Sequence, residues 1–311
     1  MSLFLALGCG ASSPEAAADT ADRAVADSGA DSGADSAVDG EDDAAGDTSP
    51  SQDDTSTGVG DSGEETTPHW TDDVSLYINL GDSIAAGYDA DDDAGYAWLL
   101  YQNDDRAYPE YAGADLWTRG GASAKHIADS GATSREVLEN LQAANLPSTS
   151  GTVVVTISAG GNDFNDDPYT MISADLTAEV AEAYTRNLSE MVDILRGQYD
   201  DPFIFVLNIQ DPTDGEGTIP AGYDEGMCEL LQAYGALVGD VAVDNLALFN
   251  AAIAEAAADE GVALLDYHGW FMGHGLNSGD GWMSDDCAHP TQEGHHQIRR
   301  LAWEAFTGEL Y

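Results

Sequence analysis

The sequence predicts an α/β fold: a single three-layer α/β/α domain over residues 71–311, built on a five-stranded parallel sheet. Three observations predict it. Apolar strand-like runs alternate with helical patterns, as a parallel sheet covered by helices requires. The run Thr152–Ser158 (Thr-Val-Val-Val-Thr-Ile-Ser) is β-branched and uncharged, as a strand buried on both faces should be. No long structureless gap and no internal repeat divides residues 71–311, so this part of the 311-residue chain reads as one domain.

Taken in order, Val74 to Leu80 is the first strand and Asp115 to Thr118 a weaker second. Thr152 to Ser158 is the third, Phe203 to Ile209 the fourth and Val262 to Asp266 the fifth. The helices between them have readable ends. Thr133-x-x-Glu136 is a capping box ahead of Val137, Leu138 and Leu141. Leu176 to Arg196 is long and amphipathic. Asp244 is expected to cap a helix with Leu246, Phe249, Ile253 and Ala257 on one face, stopped at Gly261. A last helix runs from Thr291 to about Phe306.

The N-terminal part is different. Residues 2–8 are a short apolar run ending at Cys9, and Ala6-Leu7-Gly8-Cys9 resembles the lipobox of bacterial lipoproteins, in which the Cys is lipidated. Beyond it, no stretch is expected to reach the roughly 18 apolar residues of a membrane span. Residues 10–70 are dominated by Asp, Ser, Gly, Ala, Thr and Glu, and up to Pro68 they contain no aromatic residue. Such a segment cannot bury enough apolar surface to offset its chain entropy, so a disordered acidic tether is expected. Gly58-Val-Gly60-Asp-Ser-Gly63 has dinucleotide-loop spacing, but it stands in low-complexity sequence with no strand before it, and its carboxylates would repel a pyrophosphate.

Charge excludes several functions. The chain holds 9 Lys+Arg against 58 Asp+Glu, a formal net charge of -49. Nucleic acid and anionic membrane both need clustered cations, which are missing here. The one lysine, Lys125, fits neither a phosphate loop, because residue 124 is Ala and not Gly, nor a Ser-x-x-Lys nucleophile pair, because residue 122 is Ala.

Ligands bind open α/β sheets at the carboxyl ends of the strands, and four motifs fall there. Gly81-Asp82-Ser83 follows the first strand, and Ser130-Gly131-Ala132-Thr133 opens a helix. Gly160-Gly161-Asn162-Asp163 follows the third strand, and Asp286-Cys287-Ala288-His289-Pro290 lies beyond the fifth. Ser83 at a helix start suits a developing anion. His289 is the candidate base that a serine hydroxyl needs, and Asp286 can hold the imidazole tautomer. The order and spacing differ from the G-x-S-x-G elbow, since residue 85 is Ala.

On these four blocks, and on Pro290 to His295 running into the last helix, residues 72–307 resemble the SGNH, or GDSL, hydrolases. The resemblance implies a flavodoxin-like three-layer fold and ester hydrolysis by Ser83, Asp286 and His289. It also implies an oxyanion hole from the Ser83 and Gly131 N–H groups and the Asn162 amide; Gly120 and Gly121 lie upstream in the same loop as Gly131. No cofactor or metal is implied, and the partners expected are a small or surface-borne ester and, through the lipid alone, a membrane, with the protein a monomer. Carbohydrate O-acetyl esters or lysophospholipids are alternative substrates. A non-catalytic surface lipoprotein binding in the same cleft is the rival from another class.

Other features have plainer readings. His295 and His296 have no partner at metal spacing and are expected at the surface. Asp89, Asp91 and Asp93 echo a calcium loop, but Ala94 and Leu100 stand where Gly and Glu are wanted, so a solvated acidic loop is expected. Trp270, Phe271 and Trp282 either line a pocket or pack in the core. If Cys9 is lipidated, Cys228 and Cys287 remain as an even pair in an oxidising compartment. A bridge between them would stabilise the fold by roughly 4 kcal/mol on the chain-entropy view and would pin the loop carrying Asp286 and His289.

Overall fold

Strand β1 (Val74–Gly81) runs into the one-turn helix α1 (Ser83–Ala86), and helices α2 (Tyr96–Tyr101) and α3 (Leu116–Gly120) follow. Strand β2 (Ser123–Ala128) and helix α4 (Ser134–Ala143) come next. Strand β3 (Thr152–Ser158) leads through α5 (Gly161–Asn165) to α6 (Ala174–Gln198). After β4 (Phe203–Leu207) come α7 (Met227–Glu260), β5 (Ala263–Leu265), α8 (Tyr267–Phe271) and α9 (Gln292–Thr307). The computed structural model describes residues 73–223 and 227–309, so Cys9, the acidic stretch to residue 70 and the glycines at 58–63 lie outside the described residues.

All five strands are parallel, in the order β2-β1-β3-β4-β5. This is the doubly wound order whose switch point lies between β1 and β3. The pleat sends alternate side chains to two separate cores. Leu76, Ile78, Leu80, Val153, Val155, Ile157, Ile204 and Val206 pack with Val137, Tyr184, Leu188, Phe249 and Ile253 from α4, α6 and α7. On the other face Tyr77, Val154, Phe205 and Leu207 meet Leu99, Leu116, Phe271, Ile298 and Trp303 from α2, α3, α8 and α9. The three-layer α/β/α class expected from the sequence is therefore the observed one.

Three expectations need correction. Asp115–Thr118 is not a strand: Asp115 caps α3, its carboxylate accepting from the Thr118 N–H at 2.7 Å. The second strand is Ser123–Ala128, a half-buried edge strand. Its polar and charged residues, Lys125 and His126 among them, suit an edge and hide its periodicity. Asp244 caps nothing, because it is an exposed residue inside the 34-residue α7. The glycines that resemble breaks in that helix, Gly235 and Gly239, are packed against a loop; a Cβ on Gly239 would stand 2.4 Å from the Gly217 carbonyl oxygen. Finally, part of α7, Leu237–Glu260, is long and apolar enough to cross a membrane by length and composition. Its Phe249, Ile253, Ala256 and Ala257 are buried in the protein, whereas Leu237, Val241 and Leu248 are exposed.

His295 and His296 are also not surface residues; they are 0% and 6% exposed. The first two turns of α9, which pack against α2, bury Gly294 through Arg299 continuously. The His296 ring stacks on Tyr108 with centroids 4.0 Å apart, and the buried Arg299 guanidinium lies 3.8 Å from the centre of the Tyr111 ring. The Trp270 region resolves as packing: Phe271 is buried, edge-on to Tyr267 and Trp282.

Candidate active site

The site forms at the carboxyl edge of β1 and β3. Gly81 ends β1 at φ 150°, and a Cβ there would meet the Ser158 carbonyl oxygen at 2.1 Å, so the position demands glycine. Asp82 then caps α1 by accepting from the Ile84 N–H at 3.0 Å, and it also accepts from the Ser158 hydroxyl at 3.0 Å. Ser83 therefore opens the helix with its hydroxyl held at the strand edge. Burial pushes the Asp82 carboxyl up to about 6, even though these hydrogen bonds pull the other way.

The loop after β5 supplies the other two groups. His289 Nε2 lies 2.8 Å from Ser83 Oγ, and its Nδ1 lies 2.5 Å from Asp286 Oδ2. The second oxygen of Asp286 accepts from the Ser284 hydroxyl at 2.7 Å, the Ala288 N–H at 2.9 Å and the His289 N–H at 3.0 Å. Burial raises the Asp286 carboxyl, but the His289 hydrogen bond and these backbone donors outweigh it and hold it well below the usual range. That carboxylate stays ionised beside the imidazole, and its hydrogen bond sets Nδ1 as the protonated nitrogen. Nε2 is then free to accept the serine proton.

The triad loop is tied down twice. Cys228 at the start of α7 is bonded to Cys287, as the sequence led us to expect. Gln210, just beyond β4, donates to the Ala288 carbonyl at 2.7 Å.

The remaining blocks converge on the same edge. Asn162 in α5 donates its amide to the Ala132 carbonyl at 2.9 Å, next to Gly131, which holds φ 87°. The Asp129 N–H donates to the Gly81 carbonyl at 3.0 Å, joining the Gly131 loop to the turn that carries Ser83. Asp163 accepts the Ser134 N–H at 2.7 Å and its hydroxyl at 2.5 Å, clamping the start of α4 to α5. Gly120 and Gly121 instead lie at the end of α3, before β2.

Sequence reasoning missed Asp82 as a buried carboxylate, though an Asp directly before a helix is a recognisable cap signal. It also missed Tyr88, whose ring lies 4.2 Å from that of His289, and Gln210. No local pattern marks those two.

An imidazole held between a hydroxyl and a carboxylate, at the switch point of a doubly wound sheet, is the arrangement of a serine hydrolase. Residues 80–297 match the GDSL-like Lipase/Acylhydrolase family, and the chain belongs to it: it is an SGNH/GDSL-type serine ester hydrolase by family. No curated protein matches the sequence. Among solved structures, an acetyl xylan esterase from Geobacillus stearothermophilus is 15% identical, with TM-score 0.51, covering 78% of this chain and 99% of its own. An extracellular lipase from Streptomyces rimosus is 26% identical, with TM-score 0.47, covering 74% and 98%. A lipase from a goat rumen metagenome is 19% identical, with TM-score 0.49, covering 75% and 97%.

Proposed function

We propose that this protein hydrolyses carboxylic esters through an acyl-enzyme on Ser83, outside the cytoplasm and anchored by a lipid on Cys9. The observation that carries the catalytic reading is His289 bridging Ser83 Oγ and Asp286 Oδ2. Ser83 Oγ attacks the ester carbonyl carbon while its proton passes to His289 Nε2. The carbonyl oxygen becomes an oxyanion, held by the Ser83 and Gly131 N–H groups and the Asn162 amide. Collapse breaks the bond to the alcohol oxygen, which takes the proton from Nε2 and leaves. Water then gives a proton to Nε2 and attacks the acyl carbon. The tetrahedral intermediate expels Ser83 Oγ, which recovers its proton as the acid departs.

Export is supported by the Cys228–Cys287 bond, since such bonds persist in oxidising compartments. An anchor followed by the acidic residues 10–70 would hold the hydrolase away from the bilayer.

The test is a chain-length panel of nitrophenyl esters, run on the wild type and on Ser83→Ala. Hydrolysis lost in the variant is the expected result; hydrolysis that survives it refutes the nucleophile. Preference for acetyl esters would assign a deacetylase-like role, and preference for long acyl chains a lipase or lysophospholipase role. No turnover of any ester would favour a binding protein.

A further inference from the structure

The loop Tyr88–Gly95 leaves the nucleophile turn and returns to α2, and its two ends nearly touch. Gly87, at φ 79°, and Gly95 are in backbone contact: a Cβ on Gly95 would lie 2.6 Å from the Gly87 Cα. The residues on either side of this pinch, Tyr88 and Tyr96, are both held by one side chain. His295, fully buried on α9, accepts the Tyr96 N–H on Nδ1 at 3.4 Å and meets the Tyr88 carbonyl with Nε2 at 2.9 Å. An Nδ1 that accepts is unprotonated, so Nε2 carries the hydrogen and donates it to Tyr88. Burial, chiefly, pushes the His295 pKa down to about 4, which keeps that neutral tautomer near neutral pH.

Tyr88 is thereby fixed on both sides of its Cα, because its carbonyl meets His295 and its N–H donates to the Ser83 carbonyl at 2.9 Å. Its ring, half exposed, lies over the His289 imidazole with centroids 4.2 Å apart and planes tilted by 38°. The carboxylate of Asp286 and the hydroxyl of Ser83 hold the two ends of that imidazole. These two hydrogen bonds and the Cβ–Cγ bond set the ring's direction, and the Tyr88 ring against one face limits how far the imidazole can tilt out of that line.

We propose that His295 is a positioning residue that acts through Tyr88, clamping the Tyr88 peptide so that its ring braces His289 in line between Asp286 and Ser83. The proposal deepens the ester-hydrolase reading and rests on it. His295 moves no proton in the reaction; its contribution is the orientation of the base. Misplacing a catalytic group by about 1 Å can cost on the order of 100-fold.

The test combines turnover of nitrophenyl acetate with the low-field proton NMR signal of the His289 Nδ1–H bonded to Asp286. Tyr88→Phe keeps the ring and should keep both the signal and kcat. Tyr88→Ala and His295→Phe should broaden or abolish the signal and lower kcat roughly tenfold to 100-fold, with KM changing far less. His295→Gln retains a donor toward Tyr88 and should recover most of the loss, which separates the brace from a general folding defect. A sharp signal and unchanged kcat in Tyr88→Ala would overturn the brace. An effect of Tyr88→Ala that His295→Phe does not share would overturn the role of His295. If the wild type turns over no ester, the hydrolase reading fails, while the signal in these four variants still decides whether Tyr88 orders the imidazole.

Discussion

Cys287 is bonded to Cys228 and stands at φ 63° between Asp286 and His289, so the covalent tie and the turn that separates the two groups are one residue. The Met227 N–H donates to the Asp286 carbonyl at 3.1 Å beside it, which makes the start of α7 a platform for the triad loop. Replacing Cys228 by Ser should remove roughly 4 kcal/mol of stability and lower Tm by about 10 °C. Calorimetry on the variant checks this. A thiol titration of the denatured, unreduced domain that finds both thiols free would contradict the bond itself.

The hydrogen bonds around His289 predict graded losses. Asp286→Asn leaves the shape but removes the charge that fixes the tautomer, and kcat should fall about 10⁴-fold. Asn162→Ala removes one donor to the oxyanion and should cost about 10² to 10³. Both effects should appear in kcat with KM little changed. A larger loss for Asn162→Ala than for Asp286→Asn would reverse the roles assigned here.

Stability should fall as pH drops below about 6.5. Burial lowers His295 to about 4, and burial with the nearby Arg299 and Arg300 charges lowers His296 to about 3. Below their ordinary value of 6.5 the unfolded chain binds protons that the folded protein does not, costing roughly 1.4 kcal/mol per histidine per pH unit. Asp82 opposes this below about pH 6, because its raised carboxyl takes a proton earlier in the folded state than in the unfolded chain; Asp163 acts in the same sense. Below about pH 4 the depressed Asp286 adds a further loss. Urea melts from pH 8 to pH 4 measure the slope, and His296→Phe should flatten it. The same slope in the variant would show that His296 does not contribute.

Residues 71–311 carry 42 acidic and 8 basic residues. Four arginines, Arg119, Arg135, Arg186 and Arg196, pair with Glu309, Glu139, Glu182 and Glu260, which leaves a large excess of negative charge. Self-repulsion of that size weakens the compact state, and salt screens it. Tm should therefore rise as NaCl is increased from about 0.05 M to about 1 M. A flat or falling response would refute electrostatic strain as a feature of this fold.

The sequence made β1, β3, β4 and β5 legible because uncharged runs have few alternatives to a buried strand. Strand β2 was hidden because Ser123, Lys125 and His126 at an edge carry no such pattern. The length of α7 was hidden because Gly235 and Gly239 look like punctuation until the Gly217 backbone is seen beside them. Ser83, Asp286 and His289 were legible through local motifs at strand ends. Tyr88, Gln210 and His295 reach the triad only through space, by a ring contact, a carbonyl and a peptide clamp, and none of these leaves a spacing to read.

Ser83 and His289 are 206 residues apart in the chain. At about 5–20 residues per second of synthesis, the serine leaves the ribosome roughly 10 to 40 s before its proposed base. Cys287 belongs to the same late block, and the bond that steadies it forms only where thiols are oxidised. A chain still being made thus lacks the proposed base, and one held reduced lacks the covalent tie between Cys287 and the start of α7. The order of the blocks means that the site can be completed only after the C-terminal part of the chain has been made.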